Sequence, residues 1–149
     1  EAIVAIGDND ARRRIAIQLQ EAGFKFARVI HPDTNIAEDV TIGEGTVIFA
    51  RSVIHPGAVI GKHAIINTGA IVEHDCAVGD YAHVASGAVF GGGVFVGDCS
   101  LIGTGAVVRH HIAVGTSCIV GAGAVVVENV ADGTTVVGNP ARPLERRAQ

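Results

Sequence analysis

From Ile36 to Ala131 the chain repeats a six-residue pattern sixteen times in unbroken register. An aliphatic residue or Phe opens each unit, from Ile36, Ile42 and Ile48 through Phe90 to Val126, and a small or modest residue follows four places on, from Val40 and Thr46 to Ala124 and Val130. Self-similarity at this period predicts a parallel β-helix in which each unit supplies one short strand and one corner. Gly fills the second position in eight units, and Gly, Asp or Asn fills the fourth in ten. These residues tolerate left-handed backbone angles, so both positions are expected at corners. All eleven charged residues of the repeat fall at the second, third or fourth position, which predicts a dry interior. Three units make one turn of a prism, so residues eighteen apart should stack at about the 4.8 Å strand spacing, giving a little over five coils. The sixth position points outward, yet it is apolar in fourteen of sixteen units, with Thr41 and His83 as the exceptions. Such a surface is expected to bury against other copies, which predicts a homo-oligomer.

The flanks do not follow the period. Residues 2–6 (AIVAI) read as a short buried strand, and Asn9 to Ala22 has helical spacing at Ile15, Leu19 and Ala22, with Asp8 or Asn9 to cap it and Gly23 to end it. FKFARVI then reads as a second strand, and Arg12, Arg13 and Arg14 as a solvated helix face. The expected organisation is a partial α/β segment over 1–33, a β-helix over 34–131 and a cap or tail over 132–149. The front unit and the tail would cover the open ends of the solenoid.

Composition narrows the function. At 149 residues there is room for one solenoid with a small attachment, and 48% hydrophobic content with only 4% aromatics implies a narrow core of small branched residues. A net charge of −4 argues against nucleic acid. The absence of a secretory signal, a long apolar span or a lipidation motif makes cytoplasmic the default expectation, with no membrane partner. Cys76, Cys99 and Cys118 lack paired-ligand spacing and read as packing thiols, so no metal is expected.

The densest polar interruption of the repeat is Asn67, Glu73, His74, Asp75 and His83. His74 sits on a corner beside Asp75, and an imidazole steadied by a carboxylate can take a proton near neutrality. Gly91, Gly92 and Gly93, one coil above, suggest a notch for a ligand. The competing reading makes Asp75 a turn residue and His74 a solvated corner. His83 lies alone on an apolar outer face and should have a partner, either a ligand or a neighbouring subunit.

The string INTGAIVEHDCAVGDYAHVASGA, the later LIGTGAVV and the ending DGTTVVGNPARP resemble the bacterial sugar acyltransferases of the left-handed hexapeptide-repeat superfamily, in particular those that acetylate nucleotide-linked amino sugars, alongside sialic-acid O-acetyltransferases. The resemblance, not the spacing, implies a left-handed coil, a homotrimer and an acetyl-CoA site between subunits. By motif position it implies His74 as general base, Asp75 as its orienting carboxylate, Asn67 as a polar active-site residue and His83 beside the thioester carbonyl. Gly92, Thr104 and Ala122 fall where it places coenzyme A. Members of this family usually begin with a longer nucleotide-binding unit, and this chain starts at its last strand-helix-strand. The expected function is acetyl-CoA-dependent acetylation of a nucleotide-activated amino sugar for surface glycan or glycoprotein biosynthesis. Other readings are a sugar O-acetyltransferase, a non-catalytic trimeric CoA-binding scaffold or truncated inactive domain, and a metal hydratase of the γ-carbonic anhydrase type. For the last, His74 and His110 lie thirty-six residues apart on one edge, separated by about 9.6 Å of coil rise, too far to share a metal within a chain.

Overall fold

The structure is a computed structural model that describes residues 1–144. Two-residue strands alternate with four-residue corners, and each strand pairs in parallel with the strand eighteen residues on: Val47 with Ile65, Ile65 with His83, His83 with Leu101. The stacked strands form three sheets of eight, six and five strands, which are the three walls of a β-helix. Every opening residue from Ile48 to Val126 is buried, as is every fifth-position residue from Thr46 to Val130. Small fifth-position residues let the large opening residues of three walls meet on one axis. The buried hydroxyls are satisfied by backbone carbonyls: Thr46 donates to Gly61 (2.7 Å) and Ser100 to Gly115 (2.6 Å).

The two corner positions turn out to do different work. Fourth positions from Gly45 to Gly123 all have φ between 52° and 74°, including Arg51, His63, Tyr81 and Cys99. Second positions are not left-handed. Where they are Gly, the next coil lies against them: a β-carbon on Gly103 would sit 2.6 Å from the Ala122 nitrogen. The expectation of left-handed angles at both positions therefore holds for one alone.

The regular register is also displaced relative to the sequence pattern. It begins earlier, because Val29–Ile30 already pairs with Val47–Ile48. It ends earlier too, since Val130 bridges Val114 and Thr135 pairs with Ile119, an offset of sixteen instead of eighteen. The last unit is thus two residues short, and Thr135–Val137 then turns back antiparallel to Arg142–Pro143. Residues 145–149 of the expected cap lie outside the described residues.

The front unit is less sheet-like than its sequence suggests. Between residues 2–6 and FKFARVI there is a single bridge, Ala2 to Phe26, because Val29 and Ile30 are drawn into the eight-stranded sheet. The helix spans Asn9–Glu21, with the Asp8 carboxylate accepting from the Ala11 N–H at 2.7 Å. Its inward stripe is Arg12, Ile15, Ala16 and Leu19. Arg12 is only 1% exposed, which corrects its assignment to a solvated face. Its guanidinium donates to the carbonyls of His63 (2.8 Å), Ile6 (2.8 Å) and Tyr81 (2.7 Å) and to Asn9 Oδ1 (2.8 Å), tying the front unit to the prism. Asn9 Nδ2 adds a bond to the Cys99 carbonyl at 2.9 Å. No helix among the described residues is long and apolar enough to cross a membrane.

Candidate active site

Docking the helix across the eight-stranded wall leaves a groove of about 670 Å³ between them. Asp8 and Asp10 at the helix start line one side; His83, Leu101 and Ile119 on the wall, with Thr104 and Ala122 on the adjoining corner, line the other. A smaller cavity of about 190 Å³ continues past His83, walled by Val4, Ile6, Phe49, Ile65 and Asn67. Gly7 and His83 border both, so His83 stands where a long channel meets a short apolar one.

His83 is half-buried, and its partner is Asn67, with Nδ2 3.2 Å from Nε2. Asn67 Oδ1 is already taken by the Thr68 N–H at 2.8 Å, which orients the amide nitrogen toward the ring. Nε2 is then the acceptor, and the ring proton belongs on Nδ1. Burial is the main cause that pushes the His83 pKa down, helped by Arg12, while the backbone of Gly7 opposes it. Burial thus favours the neutral ring of His83.

His74 occupies a different corner. Asn67, Thr104 and Ala122 lie where the eight-stranded wall meets the six-stranded wall, whereas His74 and Asp75 lie where the six-stranded wall meets the five-stranded one. His74 Nδ1 is 2.8 Å from Asp75 Oδ2, which leaves Nε2 free of the carboxylate. Asp75 reaches that geometry through a left-handed backbone (φ 58°). Both side chains are exposed, by 60% and 74%, so the pair is open to whatever docks on that corner. The notch expected above it is filled. A β-carbon on Gly92 would fall 2.5 Å from His74 Nε2, and one on Gly93 would fall 2.6 Å from His111 Nδ1, so these glycines make room for rings of this same chain. Gly92 does not line the groove. One protomer therefore gathers His83, Asn67, Thr104 and Ala122, and keeps His74, Asp75 and Gly92 apart from them.

Sequence reasoning missed two buried groups behind the groove. Arg12 was legible, because it lies three, four and seven residues before Ile15, Ala16 and Leu19, on the inward stripe. His63 is 3% exposed, stacked on Tyr81 (5.0 Å, 5°) and edge-on to Phe26 (4.5 Å, 83°), with Nδ1 unpartnered. Burial, the leading cause, lowers its pKa. No sequence signal marked it, since its fellow fourth-position residues are mostly surface turns. Among the described residues, no three His, Cys, Asp or Glu side chains are grouped so as to hold a metal ion.

A coiled prism of six-residue rungs, with a groove along one wall beneath an α/β flap, defines the left-handed hexapeptide-repeat class of β-helix. Comparison with known proteins narrows this. A family model described as the GMPPB C-terminal domain matches residues 17–112. The acetyltransferase domain of PglB from Neisseria gonorrhoeae, solved with acetyl coenzyme A, is 42% identical at a TM-score of 0.93 over 95% of this chain and 69% of that one. GDP-perosamine N-acetyltransferase from Caulobacter crescentus, solved as a histidine-to-alanine mutant with CoA and GDP-perosamine, is 38% identical at a TM-score of 0.95 over 97% of this chain and 69% of that one. UDP-N-acetylbacillosamine N-acetyltransferase from Bacillus subtilis is 41% identical over 48 residues, 32% of this chain and 22% of that protein. The chain belongs to the family that this model describes, and its relatives, which are sugar N-acetyltransferases, place it in the hexapeptide-repeat sugar acyltransferase family.

Proposed function

We propose that this chain transfers the acetyl group of acetyl-CoA to the amino group of a nucleotide-activated amino sugar, at sites shared between copies of a homotrimer. The observation that carries the reading is the division of the site. A coenzyme-sized groove bordered by His83, with Asn67 in the adjoining cavity, runs along one wall and its corner, and a carboxylate-oriented histidine with Nε2 free of the carboxylate lies on the next corner. Neither corner is sufficient. Juxtaposing the second corner of one copy with the first corner of the next completes a base, a donor channel and an oxyanion contact. The outward residues of the six-stranded wall, Val53, Ile71, Val89, Val107 and Val125, are an aliphatic face suited to such packing. The solved relatives with acetyl-CoA, CoA and GDP-perosamine support the choice of donor and acceptor class.

In this mechanism the acceptor nitrogen attacks the thioester carbonyl carbon, and the carbonyl oxygen becomes an oxyanion. Asn67 Nδ2 keeps a second hydrogen, which the junction offers to that charge, while the ring N–H of His83 is held toward the Gly7 backbone and fixes the ring that orients Asn67. His74 Nε2 takes the proton released by the nitrogen, and Asp75 stabilises the resulting imidazolium. Collapse of the intermediate breaks the carbon–sulfur bond, and the thiolate leaves with the proton that His74 returns. Thr104 and Ala122 flank the coenzyme on the groove side, and Gly92 lies on the facing corner of the neighbour. The product belongs to the chemistry of glycan or glycoprotein precursors, made in the cytoplasm where nucleotide sugars and acetyl-CoA meet. Transfer to a hydroxyl is the second reading, because the same base serves either nucleophile.

The test is thiol release from acetyl-CoA with nucleotide-linked 4-amino sugars as acceptors. His74→Ala should lower kcat by about 10²-fold or more while leaving CoA binding unchanged, as expected for loss of a positioned base. Turnover at the wild-type rate in that variant would remove His74 from the mechanism.

A further inference from the structure

Building on the acetyltransfer reading, we infer that Arg109, flanked by His110 and His111, grips the phosphates of the coenzyme A lying in the groove of the neighbouring copy. The first observation is scarcity. Between Lys62 and Arg142 the chain contains a single Lys or Arg, and it is Arg109. The charged side chains that line the groove are acidic, Asp8 and Asp10. Arg13, on the same helix as Asp10, does not itself line the groove; its Nη1 is tied to Cys99 on the groove's rim, 3.9 Å from Sγ. Coenzyme A carries a pyrophosphate and a 3′-phosphate at the far end of its pantetheine arm. Among the described residues, a ligand laid along this groove toward Ala122 meets no cation lining it.

The second observation is register. Asn67 and His74 belong to one coil, on different corners; Gly103 and Thr104 stand two coils above Asn67 on the first corner, and Arg109 to His111 stand two coils above Glu73 to Asp75 on the second. Both corners are straight edges with the same rise, about 9.6 Å over two coils. When copies are related by rotation about an axis parallel to the prism, matching one level of these edges matches every other. The packing that brings the neighbour's corner at His74 to the Asn67 of this chain also brings the neighbour's Arg109 beside Gly103 and Thr104, up the groove on the coenzyme's path. There the facing edge is bare: a β-carbon on Gly105 or Gly123 would meet nothing within 4 Å. A guanidinium beside a bare edge has room for a phosphate to lie between, and its fork suits phosphate oxygens.

Arg109, His110 and His111 are all exposed, and among the described residues no carboxylate lies within ion-pair distance of Arg109. His110 and His111 meet edge to face at 5.5 Å, so together they present one polar, cation-bearing surface. The corner thus reads as two tiers, a reacting tier at His74 and an anchoring tier above it.

The experiment compares acetyl-CoA with acetyl-pantetheine, which has the thioester and arm but no phosphates. Wild-type protein should show a lower KM for acetyl-CoA, and Arg109→Ala should erase most of that preference by raising the acetyl-CoA KM about tenfold at unchanged kcat, with His110→Ala adding a smaller rise. Calorimetry reads the same contact without turnover: Arg109→Ala should weaken CoA about tenfold and leave pantetheine binding as in wild type. Equal affinity of Arg109→Ala and wild type for CoA, or an equal loss with both donors, overturns the inference. A wild-type chain that binds CoA through Arg109 but transfers no acetyl group overturns the acetyltransfer reading and leaves the anchor standing. A chain that binds no CoA overturns both.

Discussion

The histidines on the covered side of the prism and those on its open corner come from the same repeat and have opposite environments. His63 and His83 lie behind or beside the docked front unit, where burial holds both rings below the usual imidazole range. His55, His74, His110 and His111 stand on corner edges with no unit of this chain docked over them, and His74 has a carboxylate on one nitrogen and, beside the other, only the bare backbone of Gly92. The difference teaches that the six-residue period supplies positions, whereas the neighbour packed on each position decides what the side chain does. On the covered side an imidazole becomes a neutral piece of architecture or a hydrogen-bond relay. On the open corner it keeps a free nitrogen for a ligand that a second copy would bring.

The largest effect expected from this division is complementation. A His74→Ala chain and a Thr104→Trp chain, which blocks the groove, should each be about 10²-fold impaired alone. Co-assembled, one site in about four would draw an intact groove from the first chain and an intact base from the second, restoring roughly a quarter of wild-type activity in a symmetric assembly with shared sites. Mixed oligomers no more active than their parents would place both corners in one chain's site and break the comparison.

A second effect concerns what keeps the covered side covered. Arg12→Met keeps the apolar stem and removes the donors to the His63, Ile6 and Tyr81 carbonyls, leaving buried acceptors unpaired. A loss of about 3 kcal/mol or more in chemical denaturation is expected. The CoA groove should go with it, since the helix forms one of its sides. A variant as stable as wild type that binds CoA normally would show that the front unit docks without this tie.

The smallest effect is on pH. His63 and His83 both have folded pKa values below the unfolded value, so the unfolded chain binds more protons as the medium is acidified. The stability contributed by their neutral rings is complete above the unfolded pKa of about 6.5 and is lost as pH falls from there toward the folded values. Melting temperature should therefore decline below about pH 6.5, and His63→Phe should flatten the decline by removing the buried ring with the unpartnered nitrogen. An unchanged slope in His63→Phe would assign the acid sensitivity elsewhere.

Much of the fold was legible because a solenoid writes its tertiary contacts into its own period. Residues eighteen apart pair, so Ile65, His83 and Leu101 announce their neighbours in the sequence. The places where the pattern misled are places where contact crosses that order. Val29 and Ile30 were assigned to the front unit and are captured by the wall, because an open sheet edge offers more backbone hydrogen bonds than one bridge to Ala2. Val130 kept its inward place while its corner lost two residues, which a strict six-residue count does not detect. The glycines above His74 looked like space for a ligand, and they accommodate rings of this chain instead. At the candidate site, exceptions to the repeat pointed to Asn67, His74, Asp75 and His83, yet none of them told that the front unit docks beside His83 and leaves His74 and Asp75 uncovered.

By itself the sequence determined the prism, its dry core, the eighteen-residue stacking and the polar interruptions, because each depends on residues a fixed distance apart along the chain. Tertiary structure decided the rest: that Arg12 is buried, that His83 is half-buried and bonded to Asn67, and that the front unit covers the wall beside His83 while leaving the His74–Asp75 pair open. Those facts arise from how the front unit docks and where each corner turns, and docking between segments remote in sequence leaves no period to read.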